Sequence, residues 1–254
     1  MKKILPFALL FFALPASAAS PDHFTLDYET GPLFIQQNDG RYGPNGSTFT
    51  AGTVGQNRNL LLSERASVEA TWGPHSWIFL YAPLDVTTRV KLNDPLTFRD
   101  TVFPAGSVVD SRYLFEGYRG SYLYQVMDAP IWKGWLGGTL QVRNAQVAFS
   151  DLTGKLYASE SDIGLVPALK ARLRHDGPRH YTLLEMDGLT TFGLFNVKGA
   201  ILDTALTFGV PVNDRLDAFV RGRYLTGGAD VSSRSIYNWA NFFAATVGFR
   251  LNLK

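Results

Sequence analysis

The sequence contains no cysteine in 254 residues. That excludes a disulfide framework and any thiolate-ligated zinc or iron–sulfur site. An excess of one charge is also missing, with 24 Lys and Arg against 22 Asp and Glu. No basic stripe offers itself to nucleic acid. Histidine is scarce: His23, His75, His175 and His180 are the full set, and none falls in a long loop. Ser–His–Asp or Asp–His hydrolysis needs a histidine within hydrogen-bond reach of its partners, so catalysis of that type is not expected. No P-loop or clustered metal-ligand motif is present, and neither cofactor nor metal is expected. Beyond residue 18 no apolar run approaches the roughly 20 residues that a membrane-spanning helix needs.

The N-terminus stands apart. Lys2 and Lys3 precede a short apolar run, Ile4 to Leu14, and Ala16-Ser17-Ala18 follows. This is the layout of a secretory signal peptide, expected to be cut after Ala18. Residues 19–254 then form a single domain. Without Lys2 and Lys3 that domain has 22 basic and 22 acidic residues, so most of the formal charge belongs to the export signal.

What is present is alternation. From Leu62 one set of side chains reads Leu62, Ala66, Val68, Ala70 and Trp72, interrupted by Glu64. The interleaved set reads Ser63, Arg65, Ser67, Glu69 and Thr71. Strand side chains alternate between faces with period two, so this is a strand with one apolar and one charged face. Similar candidates lie at about 24–36, 76–90, 108–126, 133–149, 162–174, 179–188, 199–211, 214–225 and 236–253. The connections between them alternate long and short. Short periplasmic turns and longer external loops are the habit of transmembrane barrels, and in lipid strands are viable only as a closed barrel. The expected fold is all-β, an antiparallel up-and-down transmembrane β-barrel of about ten strands, with eight the alternative.

Aromatic placement points the same way. Trp72 and Trp77 flank the first short turn, Trp132 and Trp135 the second, and Tyr181 the third. Such residues favour the membrane–water interface and are expected to form a girdle. Strand three has apolar residues on both faces; Asp85, Thr87 and Arg89 continue the face of Trp77, Phe79 and Tyr81, which is therefore expected to point inward. Strand four drifts, with Glu116 out of phase with Arg119 and Gln125, as a bulge or a segment above the bilayer would produce. The polar sets of the other strands place Arg65, Glu69, Arg143, Lys170, Arg172, Glu185, Asp203, Arg221, Arg223 and Arg250 inside. A turn at 175–178 would set Glu185 opposite Ala168 and diagonal to Lys170. A turn centred on Asn213 would set Asp203 directly opposite Arg223. Buried unpaired charges are costly, so these residues should form a salt-bridge network, with a solute-lining pore as the sharper alternative. Glu185, Asp187 and Asp203 could also support carboxylate-only chemistry, but their cationic neighbours favour ion pairing. The Gly- and Asn-rich segment at 37–59 is expected to be a flexible external loop of the kind that often carries binding.

With those features in hand, residues 24–254 resemble Gram-negative outer-membrane β-barrels. The stretches GYRGSYLYQV (117–126) and FFAATVGFRLNL (242–253) look like strands of small OmpA-like barrels. Such families typically end in an aromatic residue recognised during insertion, whereas this chain ends Leu253-Lys254. Omptin proteases are ten-stranded relatives, but no histidine here matches their external Asp–His arrangement. The resemblance implies an outer-membrane monomer whose partners are outer-membrane lipid and the barrel-insertion machinery, with any extracellular ligand unidentified. The expected role is structural or loop-mediated binding without catalysis. A narrow pore is the alternative, and a lipid- or peptide-acting enzyme the third.

Overall fold

The structure, a computed structural model, describes residues 20–193 and 197–253; the signal sequence expected at 1–18 lies outside them. Alternating apolar and polar residues build β1 (His23–Tyr42), β2 (Leu61–Trp72), β3 (His75–Ala82), β4 (Asp85–Lys91), β5 (Leu96–Phe98) and β6 (Thr101–Phe103). The series continues through β7 (Val108–Asp128), β8 (Trp132–Asp151), β9 (Tyr157–Asp176), β10 (Tyr181–Thr190), β11 (Val197–Asn213), β12 (Leu216–Val231) and β13 (Ile236–Leu253). β3 and β4 both pair with β7 and act as one wall strand, interrupted at Pro83-Leu84 where proline cannot donate to the ladder. Every neighbour is antiparallel, and β1 pairs with β13 to close a ten-stranded barrel. No helix among the described residues is long and apolar enough to cross a membrane.

The barrel is inverted relative to a soluble one. Leu136, Leu140 and Val142 on β8, Leu206, Phe208 and Val210 on β11, and Phe243, Val247 and Phe249 on β13 are exposed. Their buried neighbours are Thr139 and Gln141, Asp203 and Thr207, and Ala244 and Thr246. An apolar band of this kind has its match in the hydrocarbon of a bilayer.

Several expectations need correction. Trp77 and Phe79 are 57% and 53% exposed while Ser76 and Ile78 are buried, so strand three faces the opposite way. Both of its faces are apolar near the short turn, and the charged residues Asp85 and Arg89 that suggested the assignment lie on the exposed side of β4. Strand four does not drift: Tyr113, Arg119, Ser121 and Leu123 are all buried. Glu116 points outward, where it accepts a 2.8 Å hydrogen bond from Asn144 Nδ2, and the bulge falls lower, between Gln125 and Met127. The β9–β10 turn sits further along than expected: Gly177 N donates to the carbonyl of His180, which puts Pro178 at the second turn position, where its fixed φ belongs. Glu185 therefore faces Arg172, not Ala168. On β11 and β12 Asp203 faces Leu225, and Arg223 reaches it diagonally.

β1, β8 and β9 are each 20 residues long and β7 is 21, about twice the 9–11 that a tilted strand needs to span the bilayer. The barrel thus projects well beyond the lipid, and much of what the sequence suggested as loop at 150–161 and 226–235 is strand. Nor is 43–60 a free loop. A bulge at Ile35–Gln37 switches the inward parity of β1, so that Leu33 and Ile35, then Asn38 and Tyr42, all point in. Phe49 bridges to Gly40 through two 2.9 Å backbone hydrogen bonds, and the β5–β6 hairpin folds over the same mouth. Phe98, Phe103 and Phe149 are fully buried there, with Phe98 and Phe49 meeting Phe149 at centroid distances of 5.1 and 5.3 Å. Edge-on aromatic packing of this sort adds to the burial of the rings themselves. Asn38 Nδ2 donates to Gln56 Oε1 at 2.8 Å inside this plug, satisfying a polar pair that burial would otherwise penalise.

Candidate functional site

Below the aromatic plug the lumen holds a dense ionic layer. It begins with cross-strand pairs, in which opposite charges stabilise one another. Register sets Glu29 against Arg65, Asp27 against Arg250, Glu185 against Arg172 and Asp187 against Lys170. Register also sets Asp187 directly against Asp203, two like charges that would repel unless shared by cations. Arg119 supplies the bridge: its Nη1 lies 2.5 Å from Asp203 and 3.8 Å from Asp187. Asp203 also accepts from Arg223 at 2.6 Å and sits 3.7 Å from Arg65, so one carboxylate serves three guanidinium groups.

The remaining members extend the network around the wall. Glu29 meets Arg221 at 2.6 Å, Arg65 at 3.2 Å and Arg223 at 3.5 Å. Arg172 bridges Glu69 at 2.8 Å and Glu185 at 3.1 Å. Lys170 lies 2.8 Å from Asp187, which also accepts from Thr139 Oγ1. Arg250 grips Asp27 through two bonds of 2.8 and 2.7 Å. Neutral groups complete the set: Arg119 Nε donates to Gln141 Oε1 at 2.8 Å and Arg221 Nε to Thr207 Oγ1 at 2.6 Å. Desolvation of this many charges is offset by their mutual pairing, although Glu29 Oε1, Arg65 Nε, Gln141 Nε2 and Arg223 Nε are buried without a hydrogen bond. The void among them is about 40 Å³, room for roughly one water.

Nine of the ten polar residues expected from sequence meet in this layer. Arg143 does not: it sits a tier higher and pairs with Asp162, its Nε buried without a partner. Asp187, expected from sequence to pair with cations beside Glu185 and Asp203, does so, while Asp27, Glu29 and Arg119 complete the network but were not singled out as its members. Their parity was the available signal, because Asp27 and Glu29 alternate on β1 as Arg65 and Glu69 do on β2.

Of the aromatic set, Trp77 and Trp132 are exposed on the outer face, and Trp72 shares a face with Trp77. Tyr181 is a correction. It is 3% exposed and points into the lumen, with the Arg174 guanidinium 4.1 Å above its ring. Gly209 directly opposite makes room, since a Cβ there would lie 2.2 Å from the ring. Trp135 also faces inward, opposite Arg172 and 5.8 Å from its guanidinium. Tyr181 and Trp135, with Phe219, close the short-turn end beneath the charges. Among the described residues no group of three or more His, Asp or Glu is placed to hold a metal ion.

No family model matches the chain, and no curated protein matches it. Its structural neighbours are Gram-negative outer-membrane β-barrels at low similarity. The toluene transporter TodX of Pseudomonas putida is 8% identical, with a TM-score of 0.38 over 92% of this chain and 91% of that one. Ail, the attachment invasion locus protein of Yersinia pestis, solved with a heparin analogue, is 7% identical, with a TM-score of 0.40 over 90% and 99%. Neisserial surface protein A is 13% identical, with a TM-score of 0.35 over 90% and 96%.

Proposed function

We propose that this chain is a monomeric outer-membrane barrel that neither conducts nor catalyses, and that serves a structural or binding role through the part projecting beyond the bilayer. The observation that carries the reading is the ionic layer. A lumen crossed by Arg119, Asp203, Arg65 and Glu29, linked in a chain of ion pairs around a void of about 40 Å³, supports a plugged interior. The aromatic plug around Phe98 and Phe149 occludes the same lumen a second time, nearer the outer mouth. Outer-membrane lipid and the insertion machinery are the partners this architecture requires, since a barrel with an apolar belt must be placed in its bilayer. The former loop segments act as a folded cap, so binding would use a fixed surface.

Carboxylate chemistry is disfavoured because Glu185, Asp187 and Asp203 each sit within 3.1 Å of a cation that engages them. The test is conductance of the purified barrel in planar bilayers. The expected result is a silent membrane for wild type. Discrete steps that disappear when Arg143 or Arg223 is replaced would establish the pore instead.

A further inference from the structure

The wall of the barrel is not complete at every height. β9 remains paired with β8 up to Tyr157, but its ladder with β10 ends at the pair Gly188–Leu169. Above that pair, and among the described residues, the β10-facing edge of β9 has no strand partner. The sequence prepares this edge. Asp176 directs its backbone N–H to Ile131, on the β8 side, and Gly177 directs its own to His180, on the β10 side. Successive strand residues alternate in this respect, so Pro167 falls on the β10-facing set, where the absent N–H removes a donor from the open edge. Ile163, Leu165 and Leu169 face outward at 71%, 67% and 70% exposure, so the gap is bordered by apolar side chains on the outer face.

Behind the gap lies a mostly apolar chamber of about 370 Å³, within the range of pockets that take a small ligand. Tyr42, Tyr113, Phe115, Val147, Ala240 and Phe242 line its inner side. Leu165 and Pro167 border it on β9 and Leu189 and Ile201 on the β10–β11 hairpin, so it reaches the outer surface. Its upper rim is ionic. Arg234, from the turn before β13, reaches across to Glu160 at 3.0 Å and Asp162 at 3.4 Å on β9, while Arg143 pairs with Asp162 and Arg99 with Glu160. The charged residues that line the chamber there, Arg143 and Arg234 against Glu160 and Asp162, balance, so the rim is a belt of ion pairs.

We infer that the chamber accommodates one acyl chain of a bilayer lipid, which enters sideways between β9 and β10 with its polar head at the ion-paired rim of Arg143 and Arg234. The gap lies on the apolar outer face, the lining is mostly apolar, and the ion-paired rim offers donors and acceptors to the polar head of such a lipid. Sideways entry bypasses both the aromatic plug and the ionic layer, so this binding is independent of whether the lumen conducts.

The experiment is photo-crosslinking in nanodiscs made with a phospholipid carrying a diazirine on one acyl chain, with adducts mapped by mass spectrometry. Adducts are expected on inward residues of the chamber, such as Val147 and Phe242, as well as on the outward belt. Val166→Trp, which fills the chamber from β9, should reduce the inward adducts about tenfold. Val247→Trp, on the lipid face of β13, should leave them unchanged. Ala229→Trp on β12 replaces the first variant if that one loses its heat-modifiable gel mobility. Adducts confined to outward residues, or inward adducts indifferent to both filling variants, would overturn the inference. So would inward labelling obtained only with a diazirine-bearing free fatty acid, because the source would then be water and not the bilayer.

Discussion

Replacing Asp203 by Asn tests the ionic layer at its centre. The side chain is fully buried and contacts Arg119 at 2.5 Å, Arg223 at 2.6 Å and Arg65 at 3.7 Å. Asn keeps the volume and one acceptor but removes the charge, which leaves three guanidinium groups to share Glu29 and Asp187. Removing one partner of a buried ion pair costs about 3–5 kcal/mol, and a domain has only about 5–15 kcal/mol in total. The variant should therefore unfold at a much lower urea concentration in phospholipid vesicles, followed by tryptophan fluorescence and gel mobility. A double-mutant cycle refines the test. Arg223→Gln should cost at least about 1 kcal/mol less in the Asp203→Asn background than in wild type, as expected for residues sharing one network. A loss below about 1 kcal/mol for Asp203→Asn, with additive behaviour in the cycle, would refute the argument that burial makes these contacts matter.

Other outcomes follow from the same geometry. Leu169→Arg, on the exposed outer face of β9, should destabilise the barrel by about 2–4 kcal/mol in vesicles, whereas Leu152→Arg in the turn after β8 should be nearly neutral by the same unfolding assay. Phe149→Ala removes the ring on which Phe49, Phe98 and Phe103 converge. It should cost about 3–5 kcal/mol and expose the 43–60 segment to added protease. Gly209→Val forces Tyr181 off its position under Arg174. Overpacking of that kind should cost about 1–3 kcal/mol in urea titrations.

The outward face of the barrel was legible in the sequence because alternation is a local property: Leu206, Phe208 and Val210, or Phe243, Val247 and Phe249, declare their side without reference to any partner. Registers were less legible, since one misplaced turn shifts every pair in a hairpin. Reading Pro178 as the last turn residue, where the chain has it second, moved Glu185 from Arg172 to Ala168. Tyr181 and Trp135 were misjudged by nearness to turns, although Tyr181 shares its parity with Glu185 and Asp187, and Trp135 with Thr139 and Gln141. The plug was out of reach for a different reason. Phe49, Phe98 and Phe149 meet across about a hundred residues of chain, and no local pattern shows that two loops will fold into the mouth of a barrel. The bridging role of Arg119 likewise depends on a cross-lumen distance that no hairpin arithmetic contains.

The inversion of the barrel is most directly tested by a cysteine scan along β13 from Phe243 to Leu251, away from the open edge of β9. With no native cysteine, each introduced thiol is unique and can carry a small fluorophore in vesicles containing chain-labelled quencher lipid. Strong quenching at 243, 245, 247, 249 and 251, with little at 244, 246, 248 and 250, is the predicted result. Uniform quenching, or quenching at the even positions instead, would contradict a barrel that turns its apolar residues to lipid and encloses its charges.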